Sequence, residues 1–493
     1  MRDTRLYNLL TQGKMIDQTT YEIDLDYGFD EMLITWNGVL ERSDEIEIYF
    51  ELFSKGIWSQ TYKLLRFTRG KRRGGYSLQA DAFGSLDIDV FKTKKGMEIG
   101  KIRVHILSES ETESSGCVLA SGVFVSLLKE GQVKESQEGI SCFMPAPVLV
   151  QYPVDKIGRR ICSPTSCAMA MNIFGKIVLP VDFAALAYDF QNDIYGNWSM
   201  NMAAVSQYGL RAVARHFMGI DDLVNSIKKG HAVVVSVKTG KDKGFTGALQ
   251  TYPNGHLMLV RGFEKINGVW CVMVCDPADF DARNSKRDYP VEELLEFWSG
   301  VGYEIGPVKT SKRDEGDQIF DSIKKWMPGI SLDLRYGTDN NIFGSPVYTE
   351  SLDRFQMLRI GTLKKLTYAH WLLSRKGYGL KIWDAYRPLA IQQKLWEVHP
   401  DERFVAFPEK GSKHNRGCAV DCTLIDASGK SVFMPSDFDD FSERGRADRN
   451  DLSPDVKTNI DVLQWAFRKA GFETLEDEWW HFHDSDWKNY DIL

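Results

Sequence analysis

Apolar and polar residues alternate along the first part of the chain. The alternation runs through residues 45–53 (EIEIYFELF), 86–90 (LDIDV) and 102–106 (IRVHI). A period of two places apolar side chains on one face of a strand and polar side chains on the other. Turn-rich segments such as residues 68–75 (TRGKRRGG) separate these strands. Several short strands of this kind predict an antiparallel β-sandwich.

The pattern changes in the middle of the chain. A helical stretch follows Cys162, and apolar strands recur at residues 231–237, 256–263 and 269–274. This mixture of a helix and several strands indicates an α+β domain.

Helices dominate the last third of the chain. Ser453 is a typical N-cap, Pro454 suits the first helical position, and Gly471 stands where a C-terminal glycine belongs. The apolar stripe of this predicted helix consists of Val456, Ile460, Leu463 and Phe467.

Two polar runs divide these three regions. They lie at residues 129–139 (KEGQVKESQEG) and 309–318 (KTSKRDEGDQ). We therefore predict a multidomain α+β chain with a β-sandwich accessory domain at 1–138, a second domain at 139–310 and a third at 319–493. A length of 493 residues agrees with this division, since domains average roughly 150 residues.

Composition narrows the class of protein. Hydrophobic residues make up 43% and charged residues 26% of the chain, which indicates a folded globular protein. The formal charge of −7 disfavours a nucleic-acid binder. No apolar run is long enough to span a membrane, and the start MRDTRLYNLLTQGK lacks the apolar core of a signal peptide. These features predict a cytoplasmic protein without membrane insertion.

The most informative motif lies near the C-terminus. Residues 412–421 read SKHNRGCAVD, and residues 478–481 read EWWH. His414, Asp421 and His481 offer two imidazoles and one carboxylate, a donor set suited to one catalytic Zn²⁺ with a fourth position open for water. For His414 and Asp421 to act together, a strand-turn-strand must bring them to one side.

Two further residues complete a hydrolytic set. Glu478 lies three residues before His481 and is a natural general base. Arg387, in WDAYRPL, is suited to stabilise the oxyanion of a tetrahedral intermediate. His483 falls near His481 but lies outside the motif, and we leave it out of the ligand set.

SxHxxGxAxD, ExxH and an upstream YRP together resemble the VanX-type D-alanyl-D-alanine dipeptidases of the M15 zinc peptidases. The segments LDLRYGTDNNIFG and MPSDFDDFSE resemble further stretches of that family, so that the resemblance covers residues 320–493. It implies an α+β zinc D,D-dipeptidase domain in which Ser412 helps to hold the substrate. Lys413 stands where the family is expected to carry a small polar residue. A D,D-carboxypeptidase acting on peptidoglycan stem peptides remains the alternative within enzymes.

The middle region carries a second candidate site. Cys162 begins a predicted helix, where the helix dipole stabilises a thiolate. His256 heads an apolar strand, and Asp276 ends the next strand. A cysteine facing a histidine and its orienting carboxylate is the arrangement of thiol proteases. Gln151, 11 residues before Cys162, is placed to donate to an oxyanion.

This second set resembles the C39-like papain-fold cysteine peptidases over residues 142–307. The resemblance implies a papain-like α+β domain with a Cys-His-Asp thiol hydrolase acting on peptide or amide bonds. Ser163 replaces the expected glycine, and the spacing from Gln151 to Cys162 is longer than the family pattern. A retained fold with little activity is the alternative.

The N-terminal region shows no catalytic cluster. Its basic run consists of Arg66, Arg69, Lys71, Arg72 and Arg73. This run is either a solvated loop or a contact for a glycan or anionic polymer. Trp36 and Trp58 belong either to the core or to a glycan-binding face.

The sequence thus predicts a bifunctional peptidase that acts on small peptides from the cell wall. One site is a zinc-dependent D-Ala-D-Ala dipeptidase, and the other is a thiol hydrolase. The alternative from another class is a protein that binds cell-wall fragments and carries a degenerate thiol site.

Overall fold

The computed structural model describes residues 3–40, 44–70, 72–109, 120–131, 140–308 and 315–493. The chain forms two compact units. The first comprises Met1–Met144 and Leu149–Ser311, and the second comprises Pro145–Val148 and Lys312–Leu493. Most of the two polar runs that we predict as linkers, residues 132–139 and 309–314, lies outside the described residues. The architecture is mixed α/β with several separate sheets.

Two antiparallel sheets occupy the N-terminal part of the first unit. In spatial order, one contains Asp3–Asn8, Ala120–Lys129, Glu31–Gly38, Val90–Thr93, Gly84–Asp87 and Gln79–Ala80. The other contains Lys14–Met15, Thr20–Asp24, Lys101–Glu109, Glu45–Ser54, Tyr62–Thr68 and Gly74–Gly75, with Ile57–Trp58 paired to Glu45–Ser54. A short helix, Leu9–Gln12, connects them. The strands predicted at 45–53 and 102–106 are confirmed, and the ring of Phe50 meets that of Phe91 on the other sheet at 5.6 Å.

The strand predicted at residues 86–90 is a hairpin instead. Gly84–Asp87 and Val90–Thr93 pair antiparallel, with Asp87 opposite Val90. Ile88 adopts a positive φ of 57° at the turn. The carboxylate of Asp89 accepts a hydrogen bond from the backbone N–H of Trp198, which holds this turn. Alternation of apolar and acidic residues cannot distinguish such a tight turn from a continuous strand.

A third sheet forms the middle part of the first unit. In spatial order it contains Leu210–His216, Trp298–Pro307, Ala232–Val237, His256–Ile266, Val269–Cys275 and Lys286–Pro290, with Cys142–Phe143 paired to His256–Ile266. Its helices are Cys162–Ile173, Pro180–Ala187, Trp198–Ser206, Ile220–Lys228 and Val291–Phe297. The predicted apolar strands and the helix after Cys162 are therefore confirmed.

Hydrogen bonds join the N-terminal and middle parts into one unit. The side chain of Asn37 donates to the carbonyl of Ala212 at 2.7 Å and accepts from the N–H of the same residue at 2.8 Å. The hydroxyl of Ser199 donates to the carbonyl of Ile34 at 2.7 Å. Because buried polar groups need partners, these contacts tie the two parts together.

A buried carboxylate strengthens the same connection. Asp189 is fully buried and accepts hydrogen bonds from the N–H of Gly75 at 3.0 Å and from the amide side chains of Asn192 and Asn197 at 2.9 Å. It also accepts from the N–H of Gln191 at 3.0 Å. One carboxylate thus satisfies several buried donors at once.

Replacing Asp189 by Ala should destabilise the protein by about 3 kcal/mol, because each buried donor left without a partner costs about 1–3 kcal/mol. Urea unfolding of the full chain, followed by tryptophan fluorescence, measures this loss. Asp193→Ala is the matched control, since the side chain of Asp193 is 70% exposed. Equal losses in the two variants would contradict the importance assigned to Asp189.

Two arginines of the basic run in the N-terminal region have partners within the protein. Arg66 pairs with Glu45 at 3.0 Å and also with Glu47. Arg73 is buried and donates to backbone carbonyls, among them that of Tyr188 at 3.1 Å. Lys71 lies outside the described residues. Of the described arginines in this run, Arg69 and Arg72 are the exposed ones.

The two tryptophans of this region do not form an open aromatic face. Trp36 is fully buried, so the core-packing interpretation holds for it. The ring of Trp58 is covered by the guanidinium of Arg103 at 3.8 Å and lies 5.1 Å from the ring of Phe53.

The second unit is built around a five-stranded sheet. In spatial order this sheet contains Ser331–Leu332, Gly379–Asp384, Ala419–Ile425, His481–Asp484 and Phe472–Thr474. Phe320–Ser322 and Met357–Arg359 form a separate pair. The helices are Ile323–Trp326, Ile360–Ser374, Leu389–Val398 and Pro454–Lys469. The last helix begins after Ser453 as predicted and buries Ile460, Leu463 and Phe467 in the core.

Short 3-10 turns complete the two units. They span Gly158–Arg160, Ala282–Asn284, Glu315–Gln318, Arg335–Gly337, Leu352–Arg354, His414–Arg416, Glu443–Gly445 and Trp487–Asn489. Within the described ranges, none of the helices has the length and apolar character needed to cross a membrane.

Candidate active sites

Three buried side chains of the second unit converge on one point. Asp421 lies on the strand Ala419–Ile425, and His481 faces it across the sheet at the start of the neighbouring strand. His414 belongs to a 3-10 turn, so the strand-turn-strand that we predict for this motif is wrong. Gly417 adopts a positive φ of 67°, which reverses the chain between His414 and Asp421.

The donor atoms form a compact triangle. His414 Nε2 lies 3.2 Å from His481 Nδ1 and 3.3 Å from Asp421 Oδ1, and His481 Nδ1 lies 2.9 Å from Asp421 Oδ1. Tetrahedral zinc with bonds of about 2.0–2.1 Å separates its ligand atoms by about 3.3 Å. The three residues therefore fit a metal ion. Among the described residues, they form the one group of His, Cys, Asp and Glu side chains found with donor atoms close enough to hold one. The Nδ1 atom of His414 donates to the carbonyl of Ala385 at 2.8 Å, which turns Nε2 toward the other two donors.

Burial and neighbouring charges shift the pKa values of two of these ligands. Burial lowers the pKa of His481 to about 4. Burial alone would raise the pKa of Asp421, but the adjacent His414 and His481 lower it below its usual range. At neutral pH the carboxylate is thus ionised and the imidazole of His481 is neutral, the forms in which both residues bind a metal.

Glu478 lies beside the triangle without belonging to it. It is buried, and its Oε2 atom is 3.8 Å from His481 Nδ1. Burial and the neighbouring Asp421 carboxylate raise the pKa of Glu478 well above its usual range. A carboxylate whose pKa is raised in this way is a stronger proton acceptor than an ordinary glutamate, which suits a general base.

Arg387 also lines the site and is held there by charged and polar neighbours. Its guanidinium pairs with Asp384 at 2.8 Å, lies 3.5 Å from Asp421 and donates to the side-chain oxygen of Gln392 at 3.1 Å. Asp384 also accepts a hydrogen bond from Tyr348 at 2.5 Å. A buried cation fixed in this way is a preorganised source of positive charge.

Sequence reasoning missed Asp384 and Asp439. Asp384 stands three residues before Arg387 in WDAYRPL, so the motif itself carried the signal. Asp439 lies in MPSDFDDFSE and accepts a hydrogen bond from Tyr336 at 3.2 Å. Burial raises the pKa of Asp439 to about 7.

A cavity of about 210 Å³ opens onto these groups. Its lining combines the metal-ligand group with Glu478, Arg387, Ser412, Lys413, Asp439 and aromatic residues at Tyr336, Phe404, Phe441 and Trp480. The Ser412 hydroxyl accepts from the N–H of Asn415 at 3.3 Å. Drug-sized ligands occupy cavities of about 300–1,000 Å³, so this one is suited to a smaller molecule.

The second candidate site lies in the first unit. Cys162 is the first residue of the helix Cys162–Ile173 and is partly exposed. His256 heads its strand, and its Nε2 atom lies 2.8 Å from Asp276 Oδ1. Asp276 is fully buried and also accepts hydrogen bonds from the hydroxyls of Tyr252 at 2.8 Å and Tyr289 at 3.0 Å. The carboxylate thus fixes the imidazole with its Nδ1 side free for the thiol.

The electrostatics of this site favour an ion pair. Burial alone would lower the pKa of His256, but the charge of Asp276 and the neighbouring thiolate raise it to about 10. Burial acts to raise the pKa of Cys162, but the hydrogen bond and charge of His256 bring it below the ordinary value. A thiolate facing an imidazolium is the reactive form of such a pair.

Gln151 and Ser163 each make a polar contact inside the first unit. The side-chain nitrogen of Gln151 donates to the carbonyl of Gly158 at 2.7 Å, which leaves one N–H of that amide for an oxyanion. The hydroxyl of Ser163 is buried and lies 2.9 Å from the hydroxyl of Tyr303. The serine that replaces the expected glycine is therefore accommodated by a polar partner.

The chain resembles known proteins in both regions. Residues 318–491 match the family described as D-ala-D-ala dipeptidase, and residues 144–305 match the peptidase C39-like family. A D-alanyl-D-alanine dipeptidase of Escherichia coli (strain K12) is 31% identical over 166 residues, which cover 34% of this chain and 84% of that protein. Another from Enterococcus faecium is 31% identical over 186 residues, covering 33% of this chain and 90% of that protein. A third from Enterococcus faecalis (strain ATCC 700802 / V583) is 27% identical over 179 residues, which cover 32% of this chain and 88% of that protein.

Site and comparisons together place the second unit among the peptidases. More narrowly, the chain belongs to the D-alanyl-D-alanine dipeptidase family through its C-terminal residues.

Proposed function

We propose that the second unit is a zinc-dependent dipeptidase that hydrolyses D-Ala-D-Ala. The observation that carries this proposal is the triangle of His414, Asp421 and His481 with buried Glu478 beside it, at the base of a small cavity. Two imidazole nitrogens and one carboxylate oxygen are donors that zinc prefers. A bound zinc ion would polarise the scissile carbonyl and acidify a water molecule.

The residues of the chain supply the rest of the reaction. Glu478 accepts the proton of the attacking water and returns it to the leaving amine. Arg387 places its fixed charge next to the oxygen that becomes negative. Because Asp384 and Gln392 already hold this guanidinium, it does not need to reorganise during the reaction.

The cavity also favours a free dipeptide over a longer peptide. Asp439 offers a carboxylate to the substrate's ammonium group, while the Ser412 hydroxyl and the Lys413 ammonium are suited to its carboxylate. Both ends of a dipeptide carry charge close to the one peptide bond. A D,D-carboxypeptidase must instead leave room for the chain that precedes the scissile bond.

Purified protein should release D-alanine from D-Ala-D-Ala roughly 30-fold more efficiently, as kcat/KM, than from a pentapeptide ending in D-Ala-D-Ala. This ratio corresponds to about 2 kcal/mol for a buried charge left unpaired at one end. The assay measures free D-alanine with and without a zinc chelator, and the chelator should abolish release. Equal or better cleavage of the pentapeptide would favour the carboxypeptidase.

We also propose that the middle region, residues 139–310, is a thiol hydrolase of peptide or amide bonds. The contact between His256 and Asp276 and the lowered pKa of the Cys162 thiol support it, as does the match to the peptidase C39-like family. Cys162 is the nucleophile, His256 the base, and Asp276 the residue that orients it. Gln151 contributes its remaining N–H to the oxyanion.

For residues 1–138 we propose a β-sandwich accessory domain. The contact between Phe50 and Phe91, which belong to different sheets, supports this packing. Among the described residues of the basic run, Arg69 and Arg72 are available for a contact with an anionic polymer, because Arg66 and Arg73 have partners inside the unit.

A further inference from the structure

Two buried nitrogen atoms next to the metal-ligand group have no hydrogen-bond partner among the described residues. They are His481 Nε2 and His483 Nδ1. The two residues are only 6% and 4% exposed. They lie two apart on the strand His481–Asp484 and so share one face of the sheet, with ring centroids 5.4 Å apart. Two unpaired buried polar atoms on adjacent rings require an explanation.

The surroundings of the two rings fix which atom is a donor. His481 turns Nδ1 toward Asp421 and His414, so coordination through Nδ1 requires the proton on Nε2. His483 turns Nε2 toward the carboxylate of Glu473 at 3.0 Å. That carboxylate holds a proton on Nε2 and leaves Nδ1 of His483 as an acceptor. The two unpaired atoms are thus one donor and one acceptor on neighbouring rings.

We propose that one buried water molecule connects His481 Nε2 to His483 Nδ1, and that Glu473, His483 and this water form a relay that orients His481 for the metal. A water in a small polar space is held when it has such partners on both sides. The proposal rests on the metal site proposed above. His483 contacts neither metal nor substrate in this arrangement and is a positioning residue.

The relay has a defined effect on metal binding. By accepting through water from Nε2–H, His483 keeps the lone pair of His481 on Nδ1 and holds the ring in place. Partners of this kind change metal affinity by about 10–100-fold when they are removed. Glu473 acts at the outer end, opposite His483 across the strands His481–Asp484 and Phe472–Thr474.

Two substitutions of His483 test the relay in the full chain. His483→Phe keeps a ring but has no acceptor, and it should weaken zinc binding by about 30-fold. His483→Asn places an amide oxygen near the position of Nδ1, and it should restore affinity to within about 3-fold of the unsubstituted protein. Zinc affinity is measured by competition with a chromophoric chelator at fixed pH, with circular dichroism as a check of folding.

Each outcome decides a different question. If the Phe variant binds zinc as tightly as the unsubstituted protein, or if Phe and Asn weaken it equally, the relay is overturned while the metal site stands. If the unsubstituted protein does not bind zinc, the proposed metal site itself fails. If the Phe variant does not fold, Glu473→Ala replaces it, because this change removes the acceptor for His483 Nε2–H and the Glu473 side chain is 56% exposed. This variant should weaken zinc binding several-fold, and unchanged affinity would overturn the relay.

Discussion

Glu478→Gln should lower kcat for D-Ala-D-Ala by about 1,000-fold while leaving bound zinc unchanged. An amide cannot accept the proton of the attacking water, and removal of a general base costs about 10²–10⁴-fold. Metal content should persist because Glu478 lies outside the ligand triangle, 3.8 Å from His481 Nδ1. Steady-state release of D-alanine and elemental analysis of the same sample measure both quantities.

His481→Ala is the matched comparison for this experiment. It removes one of three ligands, so we expect loss of both metal and turnover. The division of roles between Glu478 and His481 requires a difference in metal content between the two variants. Equal zinc in both would show that the division is wrong.

Cys162 should react with iodoacetamide at pH 6 about 10-fold or more faster in the unsubstituted protein than in a His256→Ala variant, because a neighbouring imidazolium lowers the pKa of a thiol. An ordinary thiol with a pKa near 8.5 is less than about 1% ionised at pH 6. With His256 in place, the pKa of Cys162 is lowered and that of His256 is raised to about 10, so thiolate and imidazolium coexist between these values. The rate should fall only below the lowered pKa of Cys162. In the variant the rate should instead keep rising above pH 8.5, because burial then raises the pKa of Cys162 without the opposing effect of His256.

Peptide mapping by mass spectrometry identifies which cysteine is labelled. Cys167 lies on the same helix and is fully buried, and burial raises its pKa well above the usual range, so it serves as an internal control. His256→Gln tests whether fast labelling of Cys162 depends on the charge of the imidazolium rather than on the volume of the side chain at position 256. Slow labelling of Cys162 at pH 6 in the folded, unsubstituted protein would refute the activated thiol.

Local pattern was enough to predict most elements that carry the two candidate sites. The strand headed by His256 and the helix begun by Cys162 follow from runs of apolar residues and a clear starting position. The turn at Ile88 could not be predicted, because an acidic–apolar alternation fits both a strand and a hairpin. The turn also contacts a distant part of the chain, since Asp89 accepts a hydrogen bond from the N–H of Trp198, more than 100 residues away in sequence.

The residues of the candidate metal site could be predicted from the sequence, but the backbone structure that carries His414 could not. Spacing alone suggested a strand-turn-strand, whereas the positive φ of Gly417 allows a 3-10 turn at His414 to lead directly into the strand of Asp421. Asp384 and Asp439 were not predicted as site residues, because the role of a carboxylate depends on neighbours that only folding brings close. The pairing of Asp384 with Arg387 is such a case.

The double hydrogen bond between Asn37 and Ala212 bears on how this gene could have been assembled. A side chain from the N-terminal sheets there serves as a backbone partner for a strand of the following region. A gene fragment beginning near codon 139 would encode a strand whose polar groups lack that partner. Recombination that carried the thiol region to a new protein would therefore need to carry the first 138 codons with it. The two regions are expected to be inherited as one exchangeable piece.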